Sequence, residues 1–323
     1  MSVKVFIVGV GSLAADQFFE LFEDSAIASE ISLSLWDGEA DAGRSLMVNG
    51  HSTLVREYDQ APYAEANVVV LAAPNIPKEI LEMASEGATL IDLYNNLEAD
   101  SAELAIAGAC SLESGQWYRS PEPALLALFR FCDAIKAKVE PLRLNVAVAL
   151  PASAHDRAGV EALALETAAL LNGREATEQY LGATLAFNSL AQTFDLNDQS
   201  ETAVEARIAD DAEQLFEDAE TSVSTVQVPM FHGTSVMLTI ESSSKIELAD
   251  VTAAVDRDKS LRWSEGKSTA TQMMIGREEC LVTRVRKDPR VDQTLLATLM
   301  FDEQRFGRAA NLMGLLSSLI PKH

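Results

Sequence analysis

The spacing of apolar and polar residues divides the chain into two stretches of different character. Over residues 1–121, short β-branched runs at Val3–Val10, Ile31–Trp36, Ala66–Ala73, Ala88–Leu93 and Gln116–Arg119 alternate with amphipathic stretches, notably Leu13–Phe22 and Pro77–Ser85. Strands that read apolar on both faces and are joined by helices predict a parallel sheet covered on two sides.

Past Pro123 the pattern changes. A helix over Ala124–Ala137 precedes a strand over Leu142–Leu150. A second helix runs over Asp156–Leu171 and stops at Asn172-Gly173. Residues 174–200 read as irregular. A helix over Glu201–Glu217 carries Val204, Ile208 and Leu215 on one stripe. Strands resume at Thr225–Phe231, Ser235–Ile240, Glu279–Val285 and Thr294–Met300, with a helix at Leu248–Val255. Mixed strands with helices to one side predict an α+β arrangement. The last helix is expected over Glu303–Leu319, with Asp302 as N-cap, small residues such as Gly307 and Gly314 for close packing, and Pro321 as terminator.

Composition narrows the function. The 323 residues hold 25 basic and 49 acidic side chains, a net charge of −24. Such a surface repels phosphate backbones and anionic lipid, which argues against nucleic-acid or membrane partners. No apolar run is long enough to span a bilayer. The start, Met1 to Gly9, leads straight into a strand pattern without a signal-peptide profile. Cys110, Cys132 and Cys280 show neither paired nor metal-like spacing. That usage suits a reducing, cytoplasmic compartment.

One stretch carries cofactor chemistry. The first strand leads into Gly9-Val10-Gly11-Ser12-Leu13-Ala14 and then a helix. The first glycine makes the turn and the second lets a pyrophosphate approach the backbone. Ser12 and Leu13 open a helix whose N-terminus offers N–H groups. Asp37 closes the second strand, where a carboxylate can bond a ribose hydroxyl. NAD or NADP is the implied cofactor, and Asp37 favours NAD because it repels a 2′-phosphate. The same glycines also suit a turn needed only for packing.

Four further segments occur in a telling order: Ala186-Phe187-Asn188, Val228 to Ser235 (VPMFHGTS), Val282 to Pro289 (VTRVRKDP), and Arg305 to Asn311 (RFGRAAN). Together they resemble the aspartate-semialdehyde dehydrogenase family along nearly the whole chain, and its divergent Usg-type branch best of all. The resemblance implies an α/β Rossmann-type nucleotide domain, residues 1–121 with 302–323, plus an α+β dimerisation domain, residues 122–301. It also implies a homodimer. Family members reduce an acyl phosphate to an aldehyde, using a nicotinamide cofactor, a thiolate at a helix N-terminus, a histidine base and substrate-binding arginines.

Carried onto this chain, those roles meet unsuitable residues. The nucleophile falls on Glu122 or Pro123, depending on a one-residue register choice. The family's glutamine falls on Leu150 and its histidine on Thr234. The arginine seven residues before that histidine falls on Gln227, and the phosphate-side arginine on Glu98. A glycine pair after the fourth strand becomes Pro74-Asn75. Arg207 and Asp211 stand near the family's helical Lys and Glu, and read here as surface charge.

Loss of the nucleophile alone normally abolishes covalent catalysis. Cys132 lies too far along its helix to substitute and reads as a core thiol. Two candidates for chemistry remain. His232, two residues before Thr234 on an expected strand, would face the same way. Glu122, at a helix N-terminus, would stay ionised. His155 reads as a local cap or surface residue, His51 and His323 as loop and tail, and the four form no metal spacing. The leading expectation is a non-catalytic homodimer that binds a small-molecule ligand or a partner protein. The alternative is an NAD(P)-dependent oxidoreductase acting on an aldehyde or acyl phosphate, such as aspartate semialdehyde, with relocated catalytic residues.

Overall fold

The structure is a computed structural model that describes residues 2–85, 87–176, 180–217, 219–266 and 268–320. Pro321 and His323 lie outside the described residues. The chain divides into two compact units, residues 1–121 with 308–323 and residues 122–307.

The first unit is built on an eight-stranded sheet. Its strands are β1 (Val3–Val8), β2 (Ile31–Asp37), β3 (Ser45–Val48), β4 (His51–Glu57), β5 (Val68–Leu71), β6 (Thr89–Asp92), β7 (Glu103–Leu104) and β8 (Trp117–Arg119). The order across the sheet is β3-β4-β2-β1-β5-β6-β8-β7, parallel except at the β3–β4 hairpin. Val68 to Leu71 and Thr89 to Asp92 are buried throughout, as expected for central strands covered on both faces. One core joins Val5, Ile7 and Leu35 to Phe18 and Phe22 of α1 (Leu13–Glu23) and to Leu312, Leu315 and Leu316 of the last helix. The other joins Phe6, Val69 and Leu90 to Ile80 and Ala84 of α2 (Lys78–Ala84).

The second unit contains α3 (Pro123–Ile135), β9 (Pro141–Leu150), α4 (Asp156–Leu171), α5 (Ala203–Leu215), β10 (Glu220–Gln227), β11 (Thr234–Ser242), α6 (Leu248–Val255), β12 (Leu261–Ser264), β13 (Cys280–Lys287) and β14 (Thr294–Phe301). Its six-stranded mixed sheet runs β10-β9-β11-β14-β13-β12. Period-two alternation sends Leu144, Val146, Val148, Val236, Leu238, Ile240, Leu299 and Phe301 to one buried face. The opposite face carries cross-strand rows such as Ala147–Met237–Thr298. These positions stay partly exposed, with Met237 at 44%.

The sequence expectations need correction at several points. The β3–β4 hairpin was not expected. The second unit's edge strand ends at Gln227, not Phe231, because Pro229 has no N–H for a ladder. Residues 302–307 group with the second unit. There Asp302 accepts a hydrogen bond from Gly276 N at 2.8 Å, and Glu303 bonds within the same unit. The expected terminal helix is π-helical over Arg305–Ala310 and becomes α-helical only as α7 (Asn311–Ser318). Asp302 still caps its start, its Oδ1 accepting from Gln304 N and Arg305 N.

Candidate functional site

The glycine turn of the first unit sits between β1 and α1. Gly9 has φ +87°, and any Cβ there would collide with the Ala73 side chain. A side chain at this point is therefore excluded twice over. Ser12 caps α1: its Oγ accepts from Ala15 N at 3.0 Å and donates to Ala72 O at 2.5 Å. Leu13 begins the helix.

Asp37, the last residue of β2, turns its carboxylate back onto this turn. Gly11 N donates to its Oδ2 at 2.7 Å and Gly38 N to its Oδ1 at 2.8 Å. Burial pushes its carboxyl above the ordinary range, the two backbone bonds pull it back, and Asp41 pushes it up again. Asp41 lies over the same glycine. A Cβ on Gly11 would be 2.8 Å from Asp41 Oδ2 and 3.2 Å from Asp37 Oδ2. Arg44 holds Asp41 at 3.1 Å.

These residues suit a ribose hydroxyl at Asp37. They do not suit a pyrophosphate, because the Asp41 carboxylate stands over the glycine such a group must approach. Like charges 4 Å apart repel by about 1 kcal/mol in water and about 4 kcal/mol at an effective dielectric of 20.

The loop that replaces the family's glycine pair is braced internally. Asn96 donates to Ala73 O at 3.0 Å and accepts from Ile76 N at 2.9 Å, and Asn75 adopts φ +58°. Asp92, fully buried, accepts from Tyr94 N, Asn96 Nδ2 and Leu97 N. Glu98 follows on the exposed surface, where its carbonyl accepts from Ser101 Oγ at 2.7 Å.

In the second unit, Glu122 is the N-cap residue of α3 and Pro123 its first helical residue. A carboxylate there is favoured by the helix dipole. Glu122 is buried, at 8% exposure, and its Oε1 lies 3.5 Å from Arg207 Nε on α5. Asp211, one turn beyond Arg207, is 2% exposed, so the expectation of surface charge fails for it. No thiol of this unit is activated. Burial pushes Cys132 up to about 12 and raises Cys280 further, leaving both as neutral core groups.

His155 is the residue that sequence reasoning misplaced. It makes no side-chain cap to α4. Its Nε2 lies 2.9 Å from Gln227 Oε1, and its ring makes edge contacts with Phe194 at 5.4 Å and Tyr180 at 6.3 Å. Burial pushes its proton affinity down, opposed by the Gln227 bond and by the charge of Glu122. The base near Glu122 is therefore a largely neutral imidazole. Its position just beyond β9, after Pro151, was the available signal.

His232 precedes β11 and is not on it. Gly233, at φ +94°, breaks the alternation that would have aligned His232 with Thr234. Leu150 is half-buried at the end of β9.

Thr234 is buried against a carboxyl that the sequence reading did not single out. Its Oγ1 donates to Glu303 Oε2 at 3.2 Å, Gly233 N donates to the same oxygen at 3.1 Å, and Ser153 Oγ donates to Oε1. Burial and the neighbouring Asp302 raise Glu303 to about 7. Among the described residues no group of three or more His, Cys, Asp or Glu side chains could hold a metal ion. Nor is any helix long and apolar enough to cross a membrane.

A parallel-rich Rossmann-type sheet with a glycine turn, followed by a mixed-sheet α+β unit, defines the architecture of the semialdehyde dehydrogenases. The family model "Semialdehyde dehydrogenase, dimerisation domain" matches residues 132–305, more than half of the chain, which therefore belongs to this family. A USG-1 protein homolog of Azotobacter vinelandii is 27% identical, with 99% of this chain and 98% of that protein aligned. The solved structure of a probable aspartate-semialdehyde dehydrogenase from Pseudomonas aeruginosa superposes with TM-score 0.91 at 26% identity, covering 100% of this chain and 99% of that one. Aspartate semialdehyde dehydrogenase II of Vibrio cholerae, solved with ASA, gives TM-score 0.89 at 20% identity over 99% and 98% of the two chains, a likeness of fold.

Proposed function

We propose that this chain is a homodimeric member of the semialdehyde dehydrogenase family that has lost thiol-dependent acyl transfer and binds a small-molecule ligand on the inherited scaffold. One observation carries the reading. The helix N-terminus where the family resemblance places the thiolate holds Glu122, ion-paired with Arg207 and followed by Pro123, and neither register offers a thiol. Both thiols of that unit are buried and neutral. Neither a carboxylate nor a proline ring can form the thioester on which the family's reaction turns.

The dimer is supported by the family model, which describes a dimerisation domain, and by the sheet face around Met237, left open where the other face is covered. Sparse, unpaired cysteines support a cytoplasmic setting.

Hydride transfer tests the proposal. Purified protein is assayed with aspartate semialdehyde, phosphate and NAD or NADP. Turnover indistinguishable from the no-enzyme control is expected, and a rate near ordinary enzyme values of about 1–1000 per second would overturn it. A second reading has one observation in its favour. The largely neutral imidazole of His155 feels the charge of Glu122, a pairing suited to acid–base work in an NAD(P)-dependent oxidoreductase with relocated residues. Under that reading Glu122→Ala and His155→Ala each abolish a measurable rate.

A further inference from the structure

We propose that Asp41 is the residue that closes the glycine turn of the first unit to nicotinamide dinucleotides, and that removing its charge admits NAD in preference to NADP. The position of its carboxylate is the first ground. Oδ2 lies 2.8 Å from where a Gly11 Cβ would be, so it sets a negative charge beside the space that a glycine at this point leaves open. A pyrophosphate must enter that space to reach the helix N-terminus.

The second ground is how Asp41 is held. Asp41 N and Ala42 N both donate to Gly38 O at 3.0 Å, which fixes the backbone after β2, and Arg44 pairs with the carboxylate at 3.1 Å. Through Nη1 that arginine is turned toward the protein's own carboxylate.

The third ground is that the fold does not depend on the Asp41 charge. The side chains of Asp41 and Arg44 are 40% and 38% exposed. An exposed ion pair of this kind contributes little to folding. Asp41 is therefore dispensable to the fold while it governs entry, and substitution there leaves Gly9, Gly11 and the Ser12 cap in place.

Asp37 then sets which dinucleotide enters. Its oxygens accept from Gly11 N and Gly38 N, which orients the carboxylate at the end of β2, where a ribose diol can donate to it. A 2′-phosphate meets the same carboxylate as a like charge. The inference concerns residues of the first unit alone and does not rest on the loss of the thiol in the second.

Isothermal titration of the full-length protein with NAD and with NADP tests it, using wild type, Asp41→Ala and Asp41→Asn. The Asn variant keeps the shape and removes the charge, so it separates repulsion from steric filling. Wild type is expected to show no saturable heat up to millimolar dinucleotide. Each variant is expected to bind NAD at least about tenfold more tightly than wild type, with NADP weaker than NAD. Circular dichroism melts verify that the variants remain folded. Micromolar binding of either dinucleotide by wild type overturns the proposal, as does a folded Asp41→Ala protein that binds NAD no better than wild type. Equal gains for NAD and NADP overturn the role given to Asp37. Hydride transfer to NAD or NADP by wild type would overturn it as well, because turnover requires a bound dinucleotide; the titrations read binding without turnover and so distinguish this conclusion from the loss of thiol chemistry.

Discussion

The hydroxyl of Thr234 donates to the buried carboxyl of Glu303 at 3.2 Å, in the position where the family resemblance places a histidine. Because Glu303 titrates near 7 in the folded chain and near 4.5 in a solvated one, its contribution to stability is present below pH 4.5 and is lost as pH rises through 7. At about 1.4 kcal/mol per pH unit, the loss is roughly 3 kcal/mol. Glu303→Gln, which mimics the protonated form, should flatten this fall and leave the variant more stable than wild type above pH 7. Urea titrations at pH 5, 7 and 8.5 would measure it; a wild-type curve as flat as the variant's would contradict it.

The N-terminus of α3 still offers a setting that lowers a thiol's proton affinity, although Glu122 occupies it. Glu122→Cys should create a thiol that reacts with iodoacetamide at least about tenfold faster than Cys132 or Cys280. Mass spectrometry of labelled peptides over a time course gives the rates. Comparable rates at all three sites would show that the helix end does not activate sulfur.

His155 should titrate below the ordinary histidine range because burial disfavours its cation. Glu122→Gln removes a charge that favours the imidazolium, and Gln227→Leu removes its hydrogen bond. Both substitutions should move the midpoint lower still. Following the ring protons by NMR across pH would settle the sign, and an upward movement in either variant would refute the account.

Met237 is the most exposed residue of the row Ala147–Met237–Thr298 on the open face of the second sheet. If two copies meet there, Met237→Glu places charges in a desolvated interface. Association should weaken by at least about 3 kcal/mol, more than a hundredfold. Light scattering at micromolar concentration should find a dimer for wild type and a monomer for the variant. A variant that stays dimeric would move the interface elsewhere.

Much of the fold was legible because its periodic segments are long. The expected helix over Asp156–Leu171 is α4 itself, stopped by Gly173 at φ +68°. The β3–β4 hairpin escaped notice because Met47 and Leu54 are exposed, which blurs the alternation of a half-buried strand. The Asn49-Gly50 pair, both at positive φ, was the local signal that marked it. The turn residues Gly9, Gly11, Ser12 and Asp37 could be found because they fall within a short βαβ stretch. The His155–Gln227 contact joins residues 72 positions apart, and Glu303 meets Ser153 across 150. No local pattern encodes such meetings; only the folded sheet brings them about.

The return of the last residues to the first unit bears on how the chain is made. Ala309, Leu312, Leu315 and Leu316 complete a core begun by Val5 and Phe18, so synthesis must pass residue 316 before that core can close. The intervening unit is contiguous in sequence and needs no such wait. Its strands can pair while the earlier-synthesised sheet still has one flank bare, and a chain cut before residue 308 would leave the apolar residues of that flank uncovered.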